Sequence, residues 1–264
     1  MSIITLTSDW GLNDHYVGAV KGNILKHMPD ACIVDITHSV TPFDLSQAAF
    51  VIRNVYRDFP KGTVHIIGIN TEESKKISHL VVKAEDQYFI SADTGIFSLI
   101  FDKKPDLVIE LRVFADTGFY TFSARDVFAK VAVHLASGKP AEELGFEIKD
   151  FSQELLPFKP VVLENSIIKG HIIYIDAYEN LITNIGADLF RTVGQNSPFT
   201  IYLRNPSYTL TTIHETYDDV KKEGEMVALF NSGGYLEIAL NKGNAAGLLG
   251  MEINDPVRIE FDKK

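Results

Sequence analysis

Apolar and polar positions follow two different regimes along the chain. Up to about residue 150, short apolar runs alternate with helical periodicity. "IITLT" (3–7) reads as a strand, and Val17, Val20, Ile24 and Met28 then recur at helical intervals and share one face. "ACIVDI" predicts a second strand. "DLSQAAFVIRNVYRDF" predicts a helix with Leu45, Ala48, Ile52, Val55 and Phe59 turned inward, and residues 63–69 predict a third strand. Strand, helix, strand, helix, strand implies right-handed crossovers and a mainly parallel sheet with helices packed on it. "HLVVKAE" and "QYFISA" read as a hairpin around Asp86, and "ARDVFAKVAVHLASG" as a helix stopped at Gly138 with Pro140 just beyond.

Between about 150 and 166, "DFSQELLPFKPVVLENS" carries two prolines and neither period. Beyond it, "IIKGHIIYID", "FTIYL", "YTLTTI", "MVALFN", "YLEIAL" and "PVRIEF" are short strands set apart by Gly, Pro, Asn and Asp, the pattern of a small barrel or sandwich. The expected organisation is an α/β N-terminal domain over residues 1–152 with a mainly parallel sheet, a linker over 153–166, and a smaller all-β barrel C-terminal domain over 167–264.

Composition narrows the partners. With 45% hydrophobic and 23% charged residues the chain is globular, and 25 Lys plus Arg against 35 Asp plus Glu give a net charge of -10 that repels nucleic acid and anionic membrane surfaces. The basic pairs Lys75–Lys76, Lys103–Lys104 and Lys221–Lys222 are isolated and lack interleaved aromatics, so no nucleic-acid partner is expected. No apolar stretch approaches a membrane span, and "MSIITLTSDWG" enters a strand pattern without the flanks of a signal peptide, so a cytoplasmic protein without a membrane partner is expected. The single cysteine, Cys32, sits in an apolar run and is expected to pack as a small hydrophobe.

Candidate chemistry lies at strand ends. The eight histidines lack metal-site spacing, so no metal site is expected. A nucleophile elbow, P-loop and dinucleotide fingerprint are missing, and "NSGGYL" (231–236) reads on its own as a tight hairpin turn. Asp9 directly follows the first strand in "TSDWGLNDHY", with Asp14 close to the next helix, and either carboxylate could instead cap that helix. "YIDAYENLITNI" places Asp176 at a strand end and Asn180 four residues on. Such a carboxylate can hold a ribose diol or an ammonium group, and an amide can pair with a purine edge. The third strand breaks at Asn70 into the charged "NTEESKK", at the sheet end where open α/β folds bind ligands.

Six collinear segments carry a resemblance: "LTSDWGLNDHYVGAVKGNI", "DITHSVTPFDLSQAAFVI", "FPKGTVHII", "FSARDVFAKVAVHLASG", "YIDAYENLITNI" and "NSGGYLEIALNKGNAAGLLG". Together they resemble the S-adenosyl-L-methionine hydroxide adenosyltransferase family, which also contains fluorinase and chlorinase. The resemblance implies an α/β domain followed by a β-barrel domain. It also implies a homotrimer whose sites lie between one subunit's N-domain and a neighbour's C-domain. S-Adenosylmethionine enters as substrate or ligand, with no separate cofactor. By position, Asp9 would accept hydrogen bonds from the ribose hydroxyls beside an apolar wall at Phe43. Asp14, Asp176 and Ser232, with Asn231 next to it, would hold the methionine end. Asn180 would read the adenine edge and Tyr217 would stack on the base. A sulfonium, an ammonium and a diol all favour such carboxylate-rich surroundings.

The chain departs from the family's hydrolases at the water-handling trio of Asp, Arg and His, where it has Asn70, Ile77 and Ser123. Lys75 and Lys76 are close enough in sequence to supply a cation, and the family's Asp-Asn-Gly segment reads Asp93, Thr94, Gly95. At the halide-binding positions of the halogenases stand Asn70 and Glu73, and a carboxylate there would repel a desolvated halide, so halogenation is not expected. Two readings follow. In one, water oriented by Asn70 and Ser123 displaces methionine at C5′ and releases adenosine. In the other, the pocket binds S-adenosylmethionine or adenosine with weak or no turnover.

Overall fold

The computed structural model describes residues 3–72, 77–155 and 159–262. The chain divides into two compact units, Met1–Pro157 and Phe158–Lys264.

The first unit is built on a seven-stranded sheet of β1 (Ile3–Ser8), β2 (Cys32–Thr37), β3 (Val64–Gly68), β4 (His79–Ala84), β5 (Gln87–Ala92), β6 (Leu107–Leu111) and β7 (Gly145–Glu147), in the order β2-β1-β3-β5-β4-β6-β7. Helix α1 (Tyr16–His27) buries Val17, Val20 and Ile24, the face its periodicity predicts. Helix α2 (Leu45–Val55) starts at Asp44, whose carboxylate accepts the Gln47 backbone N–H at 2.9 Å, and buries Ala48 and Ile52. A short α3 (Ile96–Ile100) follows β5. The predicted helix near Gly138 is α4 (Ala129–Ala136), entered through a π-turn, Ala124–Phe128.

The sheet is mixed, which corrects the expectation of a mainly parallel one. β1–β2, β1–β3 and β3–β5 pair in parallel, but β4–β5, β4–β6 and β6–β7 are antiparallel. The reason is the hairpin at Glu85 and Asp86, both left-handed (φ 50° and 61°), which returns the chain against β4 and seats β5 between β3 and β4. From β5 the chain crosses over β4 through α3 to β6, which runs antiparallel to β4, and β7 adds antiparallel to β6.

In the second unit every pairing between the named strands is antiparallel. It contains β8 (Val161–Leu163), β9 (Ile167–Ile175), β10 (Leu181–Gly186), β11 (Phe199–Tyr202), β12 (Thr209–Leu210), β13 (Met226–Phe230), β14 (Tyr235–Leu240) and β15 (Pro256–Phe261). Their order is β12-β11-β15-β9-β10-β14-β13, with β8 added against β9. The end strands β12 and β13 touch, so the sheet curls nearly into a barrel around Ile168, Ile172, Leu181, Ile185, Leu236, Ile238 and Ile259. Residues 161–163, inside the expected linker, are thus part of this sheet. Two short helices, α5 (Ala187–Gly194) and α6 (Ala245–Leu249), interrupt the strand series. Cys32 is half-buried rather than a core residue.

Candidate functional site

In the first unit the candidate residues gather at the carboxyl ends of β1 and β3. Asp9 Oδ2 accepts the Phe43 backbone N–H at 2.9 Å, joining two positions 34 residues apart and holding Phe43 in a left-handed conformation (φ 67°) with its ring exposed. Capping does not explain Asp9 or Asp14, because α1 has His15 at its N-cap and no side-chain capping bond. Asp14 is exposed on the turn before α1.

Next to Asp9 begins a polar chain that the sequence did not announce, running from buried Ser8 and His38 out to exposed Asp35 and half-buried Lys21. Ser8 Oγ lies 2.6 Å from His38 Nδ1, His38 Nε2 lies 3.1 Å from Asp35 Oδ1, and Lys21 Nζ donates to Asp35 Oδ2 at 2.5 Å. Burial pushes the Asp35 carboxyl up, but hydrogen bonds from Lys21 and His38 outweigh it and hold the group below its usual range. Backbone bonds from Gly11 to His38 and from Val40 to Ser8 tie the same two segments together.

Trp10, next to Asp9, lies over β3 where Gly68 has no side chain; a Cβ there would sit 2.3 Å from the indole. Its ring meets Phe122 edge-on at 5.5 Å, and Phe122 meets Tyr16 at 5.2 Å. These contacts tie together the segments that carry Asp9, Asn70 and Ser123, through Trp10, Gly68 and Phe122. Asn70 is exposed and left-handed (φ 48°), a conformation Asn tolerates. Ser123 is nearly buried at the head of the π-turn and does not cap it. Behind it Arg125 grips buried Asp126 through two 2.7 Å hydrogen bonds, which raise the guanidinium pKa above its ordinary value. Ile77 is half-buried just before β4, whereas Glu73, Lys75 and Lys76 lie outside the described residues.

In the second unit two clusters form. Asp176 Oδ1 accepts the backbone N–H groups of Tyr178 (2.9 Å) and Asn180 (2.8 Å), and its Oδ2 accepts Asn180 Nδ2 at 3.1 Å. The turn between β9 and β10 is thereby built on Asp176. Buried Asn180 keeps one amide hydrogen and its carbonyl oxygen for another partner.

The second cluster centres on Glu237, which sequence reasoning missed. It is 3% exposed on β14 and accepts the Tyr217 hydroxyl at 2.6 Å and Asn231 Nδ2 at 3.2 Å. Burial, then the Glu237 hydrogen bond and charge, and more weakly the Asp176 charge push the Tyr217 phenol far above its ordinary pKa. Asn231 Oδ1 also receives the Gly233 and Tyr235 N–H groups, so the 231–234 turn presents Ser232 to solvent. The one signal available was an acidic residue inside the apolar run "YLEIAL". Among the described residues no group of three His, Cys, Asp or Glu side chains could hold a metal ion, and no helix is long and apolar enough to cross a membrane.

Comparison with known proteins decides the family. Residues 4–145 match the model of the SAM hydroxide adenosyltransferase N-terminal domain and residues 170–258 that of the C-terminal domain. The chain belongs to the SAM hydroxide adenosyltransferase family. Among members of this family, a protein of Methanocaldococcus jannaschii named (R)-S-adenosyl-L-methionine hydrolase is 30% identical, covering 99% of this chain and 97% of its own. A Thermus thermophilus protein of the same name is 28% identical over 98% of this chain and all of its own. An Actinoplanes fluorinase is 28% identical over 90% of this chain and 91% of its own. The crystal structure of an uncharacterized conserved protein from Thermotoga maritima superposes with a TM-score of 0.87 at 30% identity, covering 98% and 99% of the two chains. The SAM hydroxide adenosyltransferase match thus spans both units described above.

Proposed function

We propose that the protein hydrolyses S-adenosyl-L-methionine at C5′ to adenosine and L-methionine, taking the epimer named in its relatives, R at the sulfonium. The observation that carries this reading is the end-to-end match to hydrolases, in a chain that keeps a carboxylate-anchored pair in each unit, Asp9 with Phe43 and Asp176 with Asn180. Water forms the O–C5′ bond, the C5′–S bond breaks with its electron pair going to sulfur, and the water's surplus proton passes to solvent. A neutral thioether leaves from a cation, so the departure requires no general acid. The protein's task is to hold water in line and exclude competitors.

In this reading Asp9 accepts from the ribose hydroxyls beside Phe43, and Asn180 and Tyr217 take the adenine. Asp14, Asp176, Asn231 and Ser232 take the methionine end, and Asn70 and Ser123 orient the water. The active assembly is a homotrimer that completes each site from two subunits. Incubation of the purified protein with the separate R and S epimers, followed by chromatography, is expected to yield adenosine and methionine in equal amounts from R. Intact R epimer after prolonged incubation, with binding still measurable, would instead favour the ligand-binding reading.

A further inference from the structure

Glu237 is a carboxylate taken out of water, a costly placement unless both oxygens are satisfied. β14 is buried from Leu236 onward, with Leu236 and Ile238 in the barrel core and Glu237 between them. An apolar residue would suit such a strand better for stability alone. What the carboxylate holds is the informative part: one oxygen takes the Tyr217 hydroxyl, the other the Asn231 amide. Neither partner can turn freely. The Asn231 carbonyl is committed to two backbone N–H groups, so its Nδ2 must face Glu237. Tyr217 opens a short 3₁₀ turn, Tyr217–Asp219, clamped on its other side by Asp219, which accepts the N–H groups of Glu215 and Thr216 at 2.9 and 3.0 Å.

We propose that Glu237 is a positioning residue of the adenosyl site, its two oxygens presetting the Tyr217 ring and the 231–234 turn before ligand arrives. This rests on the assignment of Tyr217 and Asn231 to the ligand. Tyr217 as a residue is 43% exposed while its hydroxyl is anchored, the arrangement wanted of a stacking platform. An unanchored tyrosine would lose rotamer freedom on binding, and presetting removes that cost.

Glutamine discriminates this role from a general need for negative charge. Glu237→Gln can accept from Asn231 through its oxygen and donate to the Tyr217 oxygen, since a hydroxyl also accepts. Glu237→Ala leaves both partners unheld. Adenosine affinity by calorimetry is expected to fall about tenfold or more in Glu237→Ala, severalfold in Tyr217→Phe, and to stay within about twofold in Glu237→Gln. KM for the R epimer should rise in Glu237→Ala with kcat nearly unchanged, the mark of binding shared by ground and transition states. Alkaline titration, which needs no ligand, should show one tyrosine ionising at lower pH in Glu237→Gln than in wild type, with the part of the rise that burial causes still present. If Glu237→Ala does not fold, the glutamine and phenylalanine variants carry the test. Wild-type adenosine affinity in both Glu237→Ala and Tyr217→Phe, or an unaltered tyrosine titration in Glu237→Gln, overturns the proposal. A wild-type protein that binds neither adenosine nor S-adenosylmethionine brings down the adenosyl assignment itself, a result the variants do not mimic.

Discussion

At Asn70, Ile77 and Ser123 the side chains differ from the family's water-handling trio, and the residue scale asks what that does to rate. Neither an amide nor a hydroxyl titrates near neutral pH, so in the proposed roles Asn70 and Ser123 would orient water without removing its proton in the attack. The kcat at saturating S-adenosylmethionine, which reports the bound complex rather than the free substrate's amine, is therefore expected to be flat between about pH 6 and pH 9. Combining Asn70→Asp, Ile77→Arg and Ser123→His should raise turnover on the order of tenfold and introduce a limb near pH ~6.5, the ordinary imidazole range. Single changes should do little, because a lone Arg or Asp would be unpaired. A sloping wild-type profile would show that another base acts, and Glu73, Lys75 and Lys76 would be the next to replace. Residue roles were unevenly legible. Asp176 and Asn180 stand four apart at a strand end, so local spacing marked both as candidates, while the hydrogen bond between them appears only in the fold. Glu237 meets Tyr217 across 20 residues, because the segment before Tyr217 bridges β13 at Leu229, the register partner of Glu237.

At the scale of elements, α1 and α2 were legible because each buries a face long enough to impose helical periodicity. α3 and α6, of five residues each, are too short to show one. The mixed sheet was illegible for another reason: strand order is nonlocal, and nothing in "HLVVKAE" tells that β6 pairs on its far side. The sheet nonetheless contains a device the sequence only hinted at. His65 on β3 is buried, stacks on Phe89 at 4.6 Å, and bridges Thr5 on β1 to Gln87 on β5, with both hydrogen bonds 2.7 Å. Gln87 donates its amide to the Tyr56 carbonyl, so its oxygen faces His65, which must donate from Nε2 and accept the Thr5 hydroxyl at Nδ1. Burial accordingly lowers the His65 pKa to about 4. The unfolded chain binds this proton near pH ~6.5, so the stability His65 confers is complete above that pH and is lost as pH falls toward the folded value. Urea unfolding is expected to lose about 2 kcal/mol between pH 7 and pH 5 from this group. His65→Leu should be less stable at pH 7 but lack that share of the decline, and an equal decline in both proteins would refute the assignment.

Across the whole molecule, the net charge of -10 and the two-unit organisation were readable from composition and from the change of periodicity, whereas the proposed assembly rests on family resemblance. The structure adds a physical motive. Phe43 is 73% exposed beside Asp9 in the first unit, and Tyr178 is 79% exposed beside Asp176 in the second, so each candidate half-site displays a large aromatic ring to water. Phe119 and Tyr120, shortly before Ser123, are exposed as well. Apolar surface left open is worth about 25 cal/mol per Å² once covered, and clustered exposed aromatics mark surfaces that another body covers. If neighbouring copies cover them in the proposed homotrimer, light scattering should give about three times the 29.4 kDa chain mass, on the order of 90 kDa. Adenosine affinity per chain should then fall as the protein is diluted through the dissociation range, because a site completed by two subunits cannot outlive their separation. Added adenosine should shift the same dissociation to lower protein concentration by an equal coupling free energy. A stable monomer with undiminished adenosine affinity would mean that one chain builds the whole site, and the exposed rings would need another occupant.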